Sequence, residues 1–164
     1  MMRNEADTRA TLIDPKLRAA GWSDPQITRE HYYQRDQKYT QGRVILVGNS
    51  VRRGEARKVD YLLRLSDAFP IAVIEAKAED QSAEAGLEQA KRYAKDLGLA
   101  FAYATNGHEI IEYDFFTKSS RDLEQFPTPQ ALWERWQAKL GTDVHVIAER
   151  PAEYGADRRN NPLI

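Results

Sequence analysis

The sequence predicts one α/β domain, a mixed sheet of about five strands flanked by helices. Three observations predict it. Two apolar runs sit side by side in "KVDYLLRLSDAFPIAVIEAKAED", residues 58–80, and a third follows in "LAFAYATNG" from Leu99. A helical stripe separates the second run from the third, giving the strand, helix, strand order of a parallel crossover. The dipeptide Asn106-Gly107 is a tight-turn signal, so the next run, "HEIIEYDFF", is expected to return antiparallel. At 164 residues the chain is long enough for one hydrophobic core and short for two.

The first segment, "NEADTRATLIDPKLRAA", reads as helical with a break. Asn4 can cap a helix whose apolar positions Ala6, Ala10 and Ile13 recur at helical spacing, and Asp14-Pro15 reads as a new N-cap with proline in the first turn. Gly21 ends it. After a turn at Trp22 to Pro25, "ITREHYYQ" is β-prone and suits an edge strand. Residues 35–57 are polar and punctuated by glycine, with one apolar island at Val44 to Val47, and read as a strand or short hairpin within loops. In "SAEAGLEQAKRYAKDLG" the positions Ala83, Leu87, Ala90, Ala94 and Leu97 form a helical stripe, stopped by Gly98. "LAFAYATNG" is continuously apolar, as expected of a strand covered on both faces. "TPQALWERWQAKL" predicts an amphipathic helix capped by Thr128, with Trp22, Trp133 and Trp136 as core residues. Past Gly141 periodicity is lost.

Composition excludes several classes of function. The chain has no cysteine, hence no disulfide, thiolate zinc site or cysteine nucleophile. Its three histidines, His31, His108 and His145, show no ligand spacing. No run approaches the roughly 20 apolar residues of a membrane span, and the N-terminus lacks the pattern of a signal peptide, so a cytoplasmic location without membrane contact is expected. Net charge is −1, too little for binding nucleic acid by bulk electrostatics. Its distribution is uneven: nine Lys/Arg face four acids between Arg29 and Arg64, and six acids face Lys77 alone between Ser66 and Glu88. Such a pairing suits a polyanion held next to divalent cations, although taken by itself it is more often no more than two ordinary solvated faces.

Residues 58–80 place Asp60 in one apolar run and Glu75-x-Lys77 in the next. If Ser66-Asp67-Ala68-Phe69 is a hairpin turn, residues facing across the strands have numbers that sum to 135, which sets Asp60 against Glu75. Period two then puts Lys77 on their face and Ala72, Ile74 and Ala76 on the other, while Val59, Tyr61, Leu63 and Leu65 share the core-like face. Two adjacent carboxylates raise each other's pKa unless a cation lies between them. Hard oxygen ligands without His or Cys point to Mg²⁺, with Mn²⁺ able to substitute. Such an ion can orient a phosphodiester and lower the pKa of bound water, with Lys77 placed to position or deprotonate that water. The alternative is a half-solvated sheet face on which Lys77 neutralises a carboxylate.

The order "VDYLL", "PIAVIEAKAED", "EQAKRYA" and "AYATNGHEIIEYD" resembles the PD-(D/E)xK nuclease superfamily, with its restriction-endonuclease-like core. More narrowly it is similar, over about residues 1–140, to the N-terminal nuclease domain of type I restriction R (motor) subunits. The resemblance implies that Asp60 and Glu75 are metal-binding acids, that Lys77 is the motif lysine, and that Glu5 in "NEADTR" assists the metal. Val59 stands where the superfamily name has proline. Gln89 and Tyr93 fit a QxxxY motif that supports the site or the DNA backbone. Arg52, Arg53 and Arg57 are candidates for phosphate contacts, Asp80 or Ser82 for a cap of the following helix, and Asn106 and Gly107 for the turn. It further implies Mg²⁺-dependent cleavage of double-stranded DNA within an assembly containing modification and specificity subunits. ATP would act only through motor domains: the chain has no phosphate-cradling G-x-x-x-x-G-K-[ST]. Residues 141–164 read as a tail or linker, possible in a piece of a longer R subunit. A DNA-binding or subunit-docking module that keeps the fold without catalysis is the alternative.

Overall fold

A computed structural model describes residues 3–33, 37–40, 43–46 and 57–142. Its centre is a six-stranded sheet in the order β1-β4-β5-β6-β7-β8: β1 (Ile27–Tyr33), β4 (Arg57–Ser66), β5 (Phe69–Ala76), β6 (Phe101–Thr105), β7 (Ile110–Asp114) and β8 (Ser119–Leu123). β2 (Gln37–Thr40) and β3 (Arg43–Leu46) form a separate antiparallel hairpin. All neighbours in the large sheet are antiparallel except β5 and β6, which run parallel. The expected mixed sheet is present with one strand more than the sequence predicts. That strand is β8, whose exposed polar residues "SSRDL" carry no apolar period.

The crossover between β5 and β6 runs through a 3₁₀ turn (Ala83–Gly86) and the helix α3 (Leu87–Leu97). All five residues of the expected stripe are buried, and Gly98 closes α3 in the left-handed conformation, φ 74°, where glycine avoids a Cβ clash. Ser82 accepts a hydrogen bond from the Glu84 N–H, so it supplies the cap.

Helix α1 (Glu5–Thr8) is capped as expected, the Asn4 side chain accepting from the Asp7 N–H. The expected break is a π-helical turn, Arg9–Ile13, that runs directly into α2 (Asp14–Ala19). Asp14 therefore does not cap. Its carboxylate accepts instead from the Tyr61 hydroxyl at 2.6 Å and from Arg29 at 3.2 Å, tying α2 to the sheet. Helix α4 (Pro129–Thr142) starts with Thr128 accepting from the Ala131 N–H.

Two apolar layers result. Ile13, Leu17, Trp22, Tyr61, Leu63, Ile74, Phe101, Tyr103 and Trp133 pack on the side of α2 and α4. Tyr33, Val59, Leu62, Val73, Tyr93, Leu97 and Ala102 pack on the side of α3. Trp136 flanks the first layer, stacked on Trp133 with ring centroids 5.5 Å apart. β4, β5 and β6 are thus covered on both faces.

Candidate active site

The β4–β5 hairpin has the expected register. Tyr61 faces Ile74, Leu62 faces Val73, Leu63 faces Ala72, and the turn lies between Ser66 and Phe69. A bulge near Arg64 absorbs Pro70, which has no N–H for the ladder. One step beyond Tyr61 and Ile74, the same register brings Asp60 to Glu75.

Alternation fails at Asp60. Val59 was expected with Tyr61 and Leu63 but packs with Leu62 and Val73 on the α3 side. Opposite this point, on β1, Glu30 adopts a positive φ of 53° and the ladder skips a pair between Arg29↔Tyr61 and His31↔Val59. The irregularity frees the Asp60 side chain to turn along the sheet. Its Oδ2 accepts from the Ala76 N–H at 2.8 Å, and its Oδ1 meets Arg9 Nη1 at 3.3 Å.

Asp60 and Glu75 are 4% and 8% exposed, among otherwise apolar strand residues. Burial and then the Asp60 carboxylate push the Glu75 carboxyl up to about 8. Lys77 opposes the shift and Glu5 adds to it. Asp60, Lys77 and Glu5 thus all act electrostatically on Glu75. Lys77 lies one residue past the end of β5, where its N–H donates to the Thr105 carbonyl at 2.8 Å and continues the parallel ladder. Gly86 closes the site from the α3 side: a Cβ there would lie 3.1 Å from Glu75 Cγ and 3.2 Å from Lys77 Cε.

Two residues of this site escape the sequence reading. Arg9 reaches Asp60 from the π-helical turn and also approaches Glu30 at 3.6 Å. Its only signal in sequence is its position four residues after Glu5, on the same helical face. Gly86 has no local signal, because its role depends on the approach of α3 to β5.

Other candidates are placed as follows. Gln89 Nε2 donates to the Tyr93 hydroxyl, so the two share a helical face. Tyr93 is buried, edge-on to Tyr33 at 6.1 Å, and braces Gln89 from within the core. Arg57 lies 4.0 Å from Asp96 and links β4 to α3. Arg52 and Arg53 lie outside the described residues, as does the segment 143–164. Asn106 serves its turn, accepting from the His108 and Glu109 N–H groups, and its amide also donates to the Gln81 carbonyl. Among the described residues of the basic stretch, Arg29 pairs with Asp14, Lys58 with Glu30 and Arg57 with Asp96.

Residues 45–121 match the family described as the N terminus of the type I restriction enzyme R protein. Over this stretch the chain is similar to that family. Along 94% of its length the chain is also 30% identical to the endonuclease subunit of the type I restriction enzyme EcoAI from Escherichia coli, covering 20% of that protein. A solved fragment assigned to the HsdR subunit of a type I restriction enzyme from Vibrio vulnificus YJ016 superposes with a TM-score of 0.73 at 42% identity, over 86% of this chain and 27% of that one. The chain therefore spans about a fifth to a quarter of these relatives. The resemblance to R subunits read from the sequence is borne out, as is the α/β class. Among the described residues, no helix is long and apolar enough to cross a membrane.

Proposed function

We propose that this chain is the Mg²⁺-dependent endonuclease part of a type I restriction R subunit of the PD-(D/E)xK kind, hydrolysing phosphodiester bonds of double-stranded DNA. The observation that carries the reading is the buried pair Asp60 and Glu75 with Lys77 beside it. Two carboxylates in an apolar sheet are costly unless paired or bound to a cation, and Glu75 at about 8 marks that cost. The donor set fits a hard divalent ion: carboxylate oxygens with neither sulfur nor imidazole among them. Asp60 and Glu75 would hold the ion directly, with Glu5 contributing charge from α1. When bound, the ion supplies a lowered pKa for water and charge stabilisation at the phosphoryl oxygens.

The chain's own residues do the remainder. Ala76 N–H and Arg9 fix both oxygens of Asp60, so its orientation does not depend on solvent. The Lys77 side chain as an ammonium offsets charge on the pentavalent phosphorus and orients the attacking water, whereas only its neutral amine could take a proton from that water. Gly86 leaves room for Lys77 to approach Glu75. The DNA would be brought to the site within a complex including modification and specificity subunits, and ATP would act through motor domains elsewhere in such a complex.

Two observations favour the non-catalytic alternative. Arg9 already occupies an oxygen of Asp60, and among the described residues no group of three or more His, Cys, Asp or Glu is arranged to hold a metal. Calorimetry with Mn²⁺ and Mg²⁺ decides between the two. Wild type is expected to bind, and Asp60→Ala and Glu75→Ala to lose at least tenfold in affinity, as removing a direct ligand should. Silence in wild type, or equal binding by all three, overturns the metal site. In a full restriction complex, Lys77→Ala is expected to lower cleavage by 10²-fold or more, the scale of one acid–base group, with metal binding retained.

A further inference from the structure

Among the described residues, one group of cations without acidic partners lies outside the stretch where the sequence concentrates positive charge. Along α3, Lys91, Arg92 and Lys95 line a cleft of about 620 Å³ whose other wall is Tyr113, Phe115 and Lys118 from β7 and the turn after it. Lys91 Nζ sits 4.4 Å from the Tyr113 ring centroid and 3.2 Å from Glu88, the sole acid of the cleft. Arg92, Lys95 and Lys118 are exposed, and no carboxylate among the described residues pairs with them. Lys118 moreover holds a left-handed backbone, φ 56°, a conformation that glycine or asparagine adopts at less cost. Elsewhere Arg29 of β1 pairs with Asp14 and Arg57 of β4 with Asp96, while Arg64 of β4 donates to the Thr28 hydroxyl and to the Asp67 carbonyl. Three unpaired like charges converging on one concave surface repel one another, and an anion with several charges relieves that repulsion.

We infer that this cleft binds the phosphate backbone of the DNA duplex, a contact surface separate from the carboxylate site. The inference deepens the nuclease reading and rests on it for the choice of occupant. Position supports that choice. Lys91 lies five residues along from Gly86, about 7–8 Å of helix axis, so one duplex can touch both the cleft and the Glu75 end of α3. From Lys91 to Lys95 the helix rises about 6 Å, close to two phosphates of one strand at about 3.4 Å of axis each. Exposed ammonium and guanidinium groups on a half-apolar wall give a sequence-independent grip, which positions a duplex without reading it.

The test is the salt dependence of duplex binding by this chain, measured by fluorescence anisotropy with a labelled oligonucleotide in EDTA. Each phosphate contact removed lowers the slope of log K against log salt by about 0.9. Lys95→Gln/Lys118→Gln is expected to lower it by about 1.8, whereas the control pair Lys16→Gln/Arg18→Gln on α2 leaves it unchanged. Both pairs are at the surface, and circular dichroism verifies their folding. A wild-type slope in the cleft pair, an equal fall in the control pair, or no duplex binding by wild type at low salt overturns the inference. The same variants separate it from the nuclease reading. If Mn²⁺ fails to bind at Asp60 and Glu75 while only the cleft pair loses slope, the cleft stands and the metal site falls; if Mn²⁺ binds and the slope is unmoved, the reverse holds.

Discussion

Glu75 illustrates how a single side chain can report on its surroundings. Its carboxyl is pushed up to about 8 from an ordinary 4.5, first by burial and next by Asp60. Between about pH 4.5 and 8 the folded chain therefore keeps a proton that the unfolded chain has lost. The stability from this group is complete below 4.5, falls across that window and is gone above 8. Urea unfolding of the metal-free chain in EDTA is expected to show this decline, and Glu75→Gln, which is neutral throughout, to flatten it. An equal decline in both would place the titrating group elsewhere. At this scale the sequence was informative where chemistry is local: Asp60, Glu75 and Lys77 interrupt apolar runs, and a short turn sets the register that brings Asp60 to Glu75, although alternation itself breaks at Asp60. It was silent on Arg9, which meets Asp60 across 51 positions of chain, since nothing in a helical "TRAT" shows what its arginine will face.

At the scale of elements, α4 is held to the sheet by charge as well as by tryptophan. Arg135 donates to both oxygens of Glu112 at 2.9 and 3.0 Å and to Asp114 at 2.7 Å. Glu112 is 1% exposed and also accepts from the Tyr103 hydroxyl at 2.7 Å and Arg121 at 3.1 Å. Burial disfavours the Glu112 carboxylate, but these donors outweigh it and hold the carboxyl below its usual range. Removing one partner of such a pair leaves a buried charge short of donors. Arg135→Ala is expected to destabilise by about 3 kcal/mol, read from the midpoint of chemical denaturation. Tyr103 and Arg121 remain to share the charge, which places the cost at the low end. A loss under about 1 kcal/mol, the worth of an exposed pair, would contradict the picture. The network was not legible in "EIIEYD", which reads as a returning strand and does not show what Glu112 and Asp114 will face. β8 was missed for a related reason: an edge strand with solvent on its side chains needs no apolar period. The hairpin β4–β5, the crossover helix and the caps at Asn4 and Thr128 were legible because each is set by neighbours within a few residues.

For the whole molecule, the carboxylate pair lies on two central strands of a six-stranded sheet with apolar layers on both faces. Charge repulsion at that position cannot be relieved by fraying, as it could be at β1 or β8, so it weighs on the cooperative stability of the fold. A cation that binds only the folded chain adds stability by mass action, about 2.7 kcal/mol at a hundredfold excess over Kd. In a chain of 164 residues each kcal/mol moves the melting temperature by about 2–4 °C. Saturating Mg²⁺ is therefore expected to raise the melting temperature of wild type by about 5–10 °C. Asp60→Ala, which leaves Glu75 without its partner, should melt at a temperature insensitive to Mg²⁺, while Lys77→Ala should retain the response because it removes a cation and no ligand. A rise of equal size in wild type and Asp60→Ala would mean that the ion stabilises the chain from some other surface, and the two central acids would then have to be explained without a metal.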